Sequence, residues 1–123
     1  MDDSILNSIK KLLGIASDYD AFDADVVLFI NSALMALSQI GVGQIGFTIS
    51  GTDETWSDFL SSRDDLEAAK NYVYLSTRLV FDPPSSGSVI GSYEKLKEEL
   101  EWRLKVRSER AIDLADNLGG TNL

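Results

Sequence analysis

Two adjacent prolines, Pro83 and Pro84, stand between two stretches of helical apolar spacing, and no regular helix can run through them. Proline has no backbone N–H, its ring clashes with the carbonyl four residues back, and the residue before it is driven out of the helical region. Phe81-Asp82-Pro83-Pro84-Ser85-Ser86-Gly87 therefore predicts a helix ending at Phe81 and a stiff corner of Asp82, Pro83 and Pro84. A new helix restarts under the hydroxyls of Ser85, Ser86 and Ser88.

Apolar spacing on either side of that corner sets the fold class. Ile5, Leu6, Ile9, Leu12 and Leu13 recur at helical intervals behind Asp2, Asp3 and Ser4, and Gly14 stands where a left-handed cap ends a helix. A second helix from about Asp23 to Ile40 carries a broad stripe of Val26, Phe29, Ile30, Ala33, Leu37 and Ile40, widened by Val27 and Leu34. Gly41, Gly43 and Gly46 break it, and Phe47-Thr48-Ile49-Ser50 alternates as a strand does, predicting a short β-hairpin or extended arm. Thr55 with Asp58, and Ser62 with Asp65, have capping-box spacing. The third long helix puts Leu66, Ala69, Val73 and Val80 on one side and Tyr72, Leu75 and Leu79 beside them, which assigns it the centre of the bundle.

Beyond the corner, Tyr93, Leu96, Leu100 and Leu104 form a narrow seam, and Glu99–Arg103 and Glu101–Lys105 are favourably ordered four-residue pairs. The expected fold is mainly all-α: a small four-helix bundle-like domain over residues 1–105, with the hairpin or arm between helices 2 and 3. Residues 106–123, with scattered Ile112, Leu114 and Leu118, are too sparse to hold themselves to a core and form a tail that is mobile or ordered on assembly.

Composition removes whole classes of chemistry. With 123 residues, 44% of them hydrophobic, there is material for one core. There is no cysteine and no histidine, so disulfides, thiolate metal sites and the commonest general acid/base group are all missing. The formal net charge of -9 opposes general binding to nucleic-acid phosphates. Only Lys10 and Lys11 of the eleven cations precede residue 61. The acidic start and the lack of a long apolar run lead to the expectation of a soluble chain made in the cytosol, with no membrane partner.

Several local patterns have plain structural readings. Gly41-Val42-Gly43-Gln44-Ile45-Gly46 has the glycine spacing of a dinucleotide loop, but it follows a helix and leads into an extended segment, the reverse of the required context. Asp18, Asp20, Asp23 and Asp25 do not fit a calcium loop, because Asp23 stands where glycine is required, and they read as capping and first-turn carboxylates. Glu98, Glu99 and Glu101 read as a solvated face, and Tyr72, Tyr74 and Arg78 as core and rim. No catalytic, cofactor-binding or metal-ligating residues are expected, and the chain reads as a non-enzyme. Trp102 lies about 200° around its helix from Leu100, off the seam, and with Val106 one turn on it makes an outward apolar patch of the kind found at interfaces.

Taken in order, "IKKLLGI", "FINSALMALSQIGVG", "ETWSDFL", "YVYLSTRLVFDPPSS" and "LKEELEWRLKV" resemble the head-tail connector (adaptor) proteins of tailed bacteriophages, of the gp6-like type. The resemblance covers about Ile5 to Val106. It implies a structural virion protein, formed in the host cytoplasm and built into the head-tail interface. Such proteins assemble as a ring, usually of about twelve copies, between the portal protein and the next head-completion or tail protein, and the genome passes through without specific binding. A ring needs two different contact surfaces on each copy. Phe47, Ile49 and Trp56 are the candidates for one, and Trp102 and Val106 for the other. Arg107, Arg110, Ile112, Leu114 and Leu118 are candidates for docking to the portal or tail. Net charge alone admits a second reading, a small acidic helical mimic of DNA that occupies a basic regulatory partner.

Overall fold

Ser4 opens the first helix, α1 (Ile5–Leu13), by accepting the Asn7 N–H at 3.2 Å, and Gly14 closes it at φ 82°. These are the caps its sequence predicts, in a computed structural model that describes the backbone of residues 4–119 and side chains through residue 110. Helix α1 buries Ile5, Leu6 and Ile9, and with them Lys10, which is 1% exposed. The Lys10 ammonium donates to the carbonyls of Tyr19 (2.8 Å) and Ser17 (3.3 Å) and pairs with Asp23 at 2.8 Å. The link from α1 to α2 (Asp23–Gln39) thus wraps around one buried cation.

Helix α2 turns Val26, Ile30, Ala33, Leu34 and Leu37 into the core. The short α3 (Trp56–Phe59) begins in the expected capping box, Thr55 Oγ1 accepting the Asp58 N–H at 3.2 Å and the Asp58 carboxylate accepting the Thr55 N–H at 3.1 Å. A 3-10 turn at Arg63–Asp65 follows, its Ser62 hydroxyl accepting from Asp64 rather than from Asp65 as the spacing predicts. Helix α4 (Leu66–Phe81) then packs against α1, α2 and α5 (Gly87–Gly119), the central place expected of it.

The fold is all-α as expected, but the hairpin is not formed: among the described residues the only strand-like pairing is an isolated antiparallel bridge between Ser4 and Thr55. The reason is a side chain in place of a partner strand. Asn31 of α2 accepts the Ile49 N–H at 2.8 Å and donates to the Ile49 carbonyl at 3.0 Å, satisfying both groups of the extended segment at once. Backbone polar groups that are buried must be paired somewhere, and here an amide side chain supplies both partners. Before this segment, Gly43 at φ 79° passes directly beneath the ring of the fully buried Phe59. Gly43→Ala adds a methyl group at that ring and forces alanine into a left-handed conformation; we expect a loss of about 2–4 kcal/mol, checked by urea denaturation.

Three apolar positions depart from their expected burial, Leu12 of α1 being 43% exposed. Leu96 is 44% exposed, and Val80 is 61% exposed because α2 and α5 do not close over the far end of α4. Thr77 is fully buried there instead. The boundary expected at residue 106 falls within a continuous helix. Helix α5 runs unbroken through it for 33 residues, about 50 Å at the ordinary helical rise. Ser108 donates to the Gly41 carbonyl at 3.0 Å, so the body holds α5 beyond that point.

Candidate functional site

The proline corner forms as its residues dictate, with α4 ending at Phe81 and α5 beginning at Gly87. Its rigidity has a second source that the prolines do not reveal. Arg78 donates through Nε to the Asp82 carbonyl at 2.6 Å and through Nη1 to the Tyr74 hydroxyl at 3.0 Å, while its guanidinium lies 6.0 Å from the centre of the Tyr93 ring on α5. Asp82, Pro83 and Pro84 are therefore clamped from the side of α4, and the direction of α5 is set by both.

Tyr72 makes the next tie between these helices, donating to the Glu101 carboxylate at 3.0 Å. Burial, reinforced by the neighbouring carboxylate, pushes its phenol up to about 12, so it remains a donor throughout the physiological range. Glu101 thereby faces inward. Neither expected pair, Glu99–Arg103 or Glu101–Lys105, is present among the ion pairs of the described residues.

The two expected contact surfaces fare differently. Ile49 is 3% exposed and Trp56 1% exposed, with the indole N–H donating to the Ser8 hydroxyl at 2.9 Å, so neither offers a free face. Phe47 is half-buried against Phe59, ring centres 5.3 Å apart. The alternating apolar residues of that expected surface are drawn onto α2 and α3. What the segment leaves in solvent is Ile45, 89% exposed at the tip of a turn closed by the Phe47 N–H on the Gln44 carbonyl. By contrast Trp102, 66% exposed, and Val106, 38% exposed, lie on the outward face of α5 where helical phase puts them.

Of the expected docking residues, Arg107 is engaged within the chain, pairing with Asp65 at 2.8 Å and Asp64 at 2.9 Å. Arg110 is exposed. The side chains of Ile112, Leu114 and Leu118 lie outside the described residues. No cluster of potential metal ligands occurs among the described residues, and no described helix is long and apolar enough to cross a membrane.

The sequence reading missed an open trough between α2 and α5, floored by α4 and touched by Phe29, Ala33, Tyr72, Ser76, Val80 and Lys97. Its signal was the run of small residues Ser32, Ala33 and Ala36, which acquires meaning only once their neighbour is known. Compared with known proteins, residues 5–111 match a family model described as phage connector protein. No curated protein and no solved structure matches.

Proposed function

Because the chain belongs to the phage connector protein family, matched over residues 5–111, we propose that it forms a ring at the portal vertex, joining the DNA-filled head to the tail. A structural role connecting phage components is what membership states; the ring, the portal contact and genome passage are the finer reading. The family match carries it, and the outward Trp102 and Val106 support it by supplying an apolar surface that the folded chain leaves uncovered. Its partners are further copies of itself, usually about twelve in all, the portal protein, and the next head-completion or tail protein.

The C-terminal part of α5, with Arg107, Arg110, Ile112, Leu114 and Leu118, serves as the docking element for portal or tail, Arg107 being paired in the free chain with Asp64 and Asp65. Many copies of a chain of net charge -9 around a channel repel DNA phosphates and let the genome slide. The corner lowers the entropy lost on docking by holding α5 at one angle before assembly.

Native mass spectrometry of the purified chain, alone and mixed with portal complexes, tests this reading. A closed ring on a portal is the expected product. Pro83→Ala/Pro84→Ala is expected to keep the helical content of the monomer and to weaken assembly roughly tenfold. Equal assembly of variant and parent removes the corner from the mechanism, and a chain that ignores every portal removes the ring.

A further inference from the structure

The trough between α2 and α5 consists of two connected depressions. One, of about 310 Å³, lies over Ala33, Ala36 and Tyr72; the other, of about 600 Å³, extends toward Leu79 and Glu94. Small side chains on α2 keep the floor accessible, and the exposed Val80 stands at its edge. The wall contributed by α5 is acidic. Glu94, Glu98 and Glu101 follow one another at intervals of four and three residues, which aligns them on one face of the helix. Lys97, the cation of that wall, is drawn inward, its ammonium 5.6 Å from the centre of the Tyr72 ring.

Past Glu101 the same helix changes sign. Trp102 and Val106, one turn apart, form an apolar ridge flanked by Arg103 and Lys105, with Lys95, Glu98 and Glu99 lining the surface one turn before Trp102. Both cations are exposed, and neither is in an ion pair among the described residues. The chain therefore carries a trough with a mixed floor of Tyr72, Ser76, Leu79 and Val80 and an acidic wall, and beside it a ridge with an apolar crest flanked by Arg103 and Lys105. In sign, Arg103 and Lys105 complement Glu94 and Glu98.

We propose that the Trp102–Val106 ridge of one copy docks into the α2–α4–α5 trough of a second copy, with Arg103 and Lys105 set against Glu94 and Glu98. This rests on the ring reading above and supplies the two surfaces it requires, with the trough replacing the buried Ile49 and Trp56. The contact is heterologous: every copy uses its ridge once and its trough once, so addition continues until the circle closes. The tryptophan at its centre is a residue type that carries a large share of interface energy. The charges at the rim set the register, and they exclude ridge-to-ridge and trough-to-trough pairing, where like signs meet.

Charge reversal tests the pairing directly. One variant carries Glu94→Lys and Glu98→Lys, the other Arg103→Glu and Lys105→Glu; circular dichroism verifies that each is folded, and sedimentation over a concentration series reads association. Each variant alone then meets its own like charge, and its association is expected to fall at least tenfold below the parent. Mixed in equal amounts, the lysine trough of one faces the glutamate ridge of the other, and the glutamate trough faces the arginine ridge, so assembly is expected to return. Loss through misfolding is not repaired by mixing. Parent-like assembly of either variant alone, or a mixture that stays apart, places the contact elsewhere and leaves the ring standing. A parent chain that remains monomeric at every concentration and on every portal overturns both.

Discussion

Replacing Lys10 by methionine lowers the stability of the folded chain by about 3 kcal/mol, although no sequence pattern marks this lysine as structural. The ammonium is 1% exposed and is the shared donor for two loop carbonyls and the Asp23 carboxylate. Methionine fills the same space but donates nothing, so the carbonyls of Ser17 and Tyr19 are left to find water and Asp23 loses its counter-charge. Asp23, 31% exposed, rehydrates in part, which keeps the cost at the lower end for a broken buried pair. In a chain of this size the melting temperature should fall by roughly 10 °C. Thermal and urea unfolding measure it, and the double variant Lys10→Met/Asp23→Asn should recover part of the loss. A shift under about 0.5 kcal/mol would mean that the link folds without its cation.

Trp56→Ala is expected to cost about 3–5 kcal/mol, the range for truncating a large buried aromatic. Two effects combine. The indole fills the core between α1 and α4, and its N–H holds the Ser8 hydroxyl, itself a donor to the Ile5 carbonyl at 2.9 Å. Trp56→Phe keeps much of the volume and loses the hydrogen bond, so about 1–2 kcal/mol separates it from the parent. The outcome also decides between a core role and an interface role. A core residue destabilises the isolated monomer when truncated, whereas Trp102→Ala should leave monomer unfolding unchanged within about 0.5 kcal/mol and act only on association. If urea unfolding of the monomer ranks the two tryptophans the other way, the burial of Trp56 described above is wrong.

What was legible in the chain was whatever depends on near neighbours. The Ser4 and Gly14 caps, the Thr55–Asp58 box and the break at Pro83–Pro84 are local, and each sits where the spacing predicts. Helical phase likewise separated the buried Leu100 and Leu104 from the exposed Trp102. The local misses are few, the Glu99–Arg103 and Glu101–Lys105 pairs and the Ser62–Asp65 box, and the other failures are pairings across long separations. Alternation at Phe47 and Ile49 identifies two faces of an extended segment but not which face another element covers, and the deciding partner, Asn31, lies on a helix 18 residues away. Leu96 and Val80 have core spacing, yet both are exposed, Val80 where α2 and α5 leave the trough open. Lys10 looked like an ordinary cation because its partners are loop carbonyls, which leave no trace in side-chain pattern. The trough was invisible for a related reason, since it is defined by three helices together.

The way the extended segment is satisfied bears on how such a chain survives crowding. An open edge of backbone amides invites a neighbouring molecule to add a strand, and dense local concentration makes that error more frequent. Here the Phe47 N–H goes to the Gln44 carbonyl, that of Ile49 to Asn31, and those of Ser50 and Gly51 to the Glu54 carboxylate. Four opportunities for illicit β-pairing within residues 47–51 are thereby closed from within the same molecule. A protein gathered in many copies at one point can then bring its extended segments close together without seeding an amyloid-like aggregate.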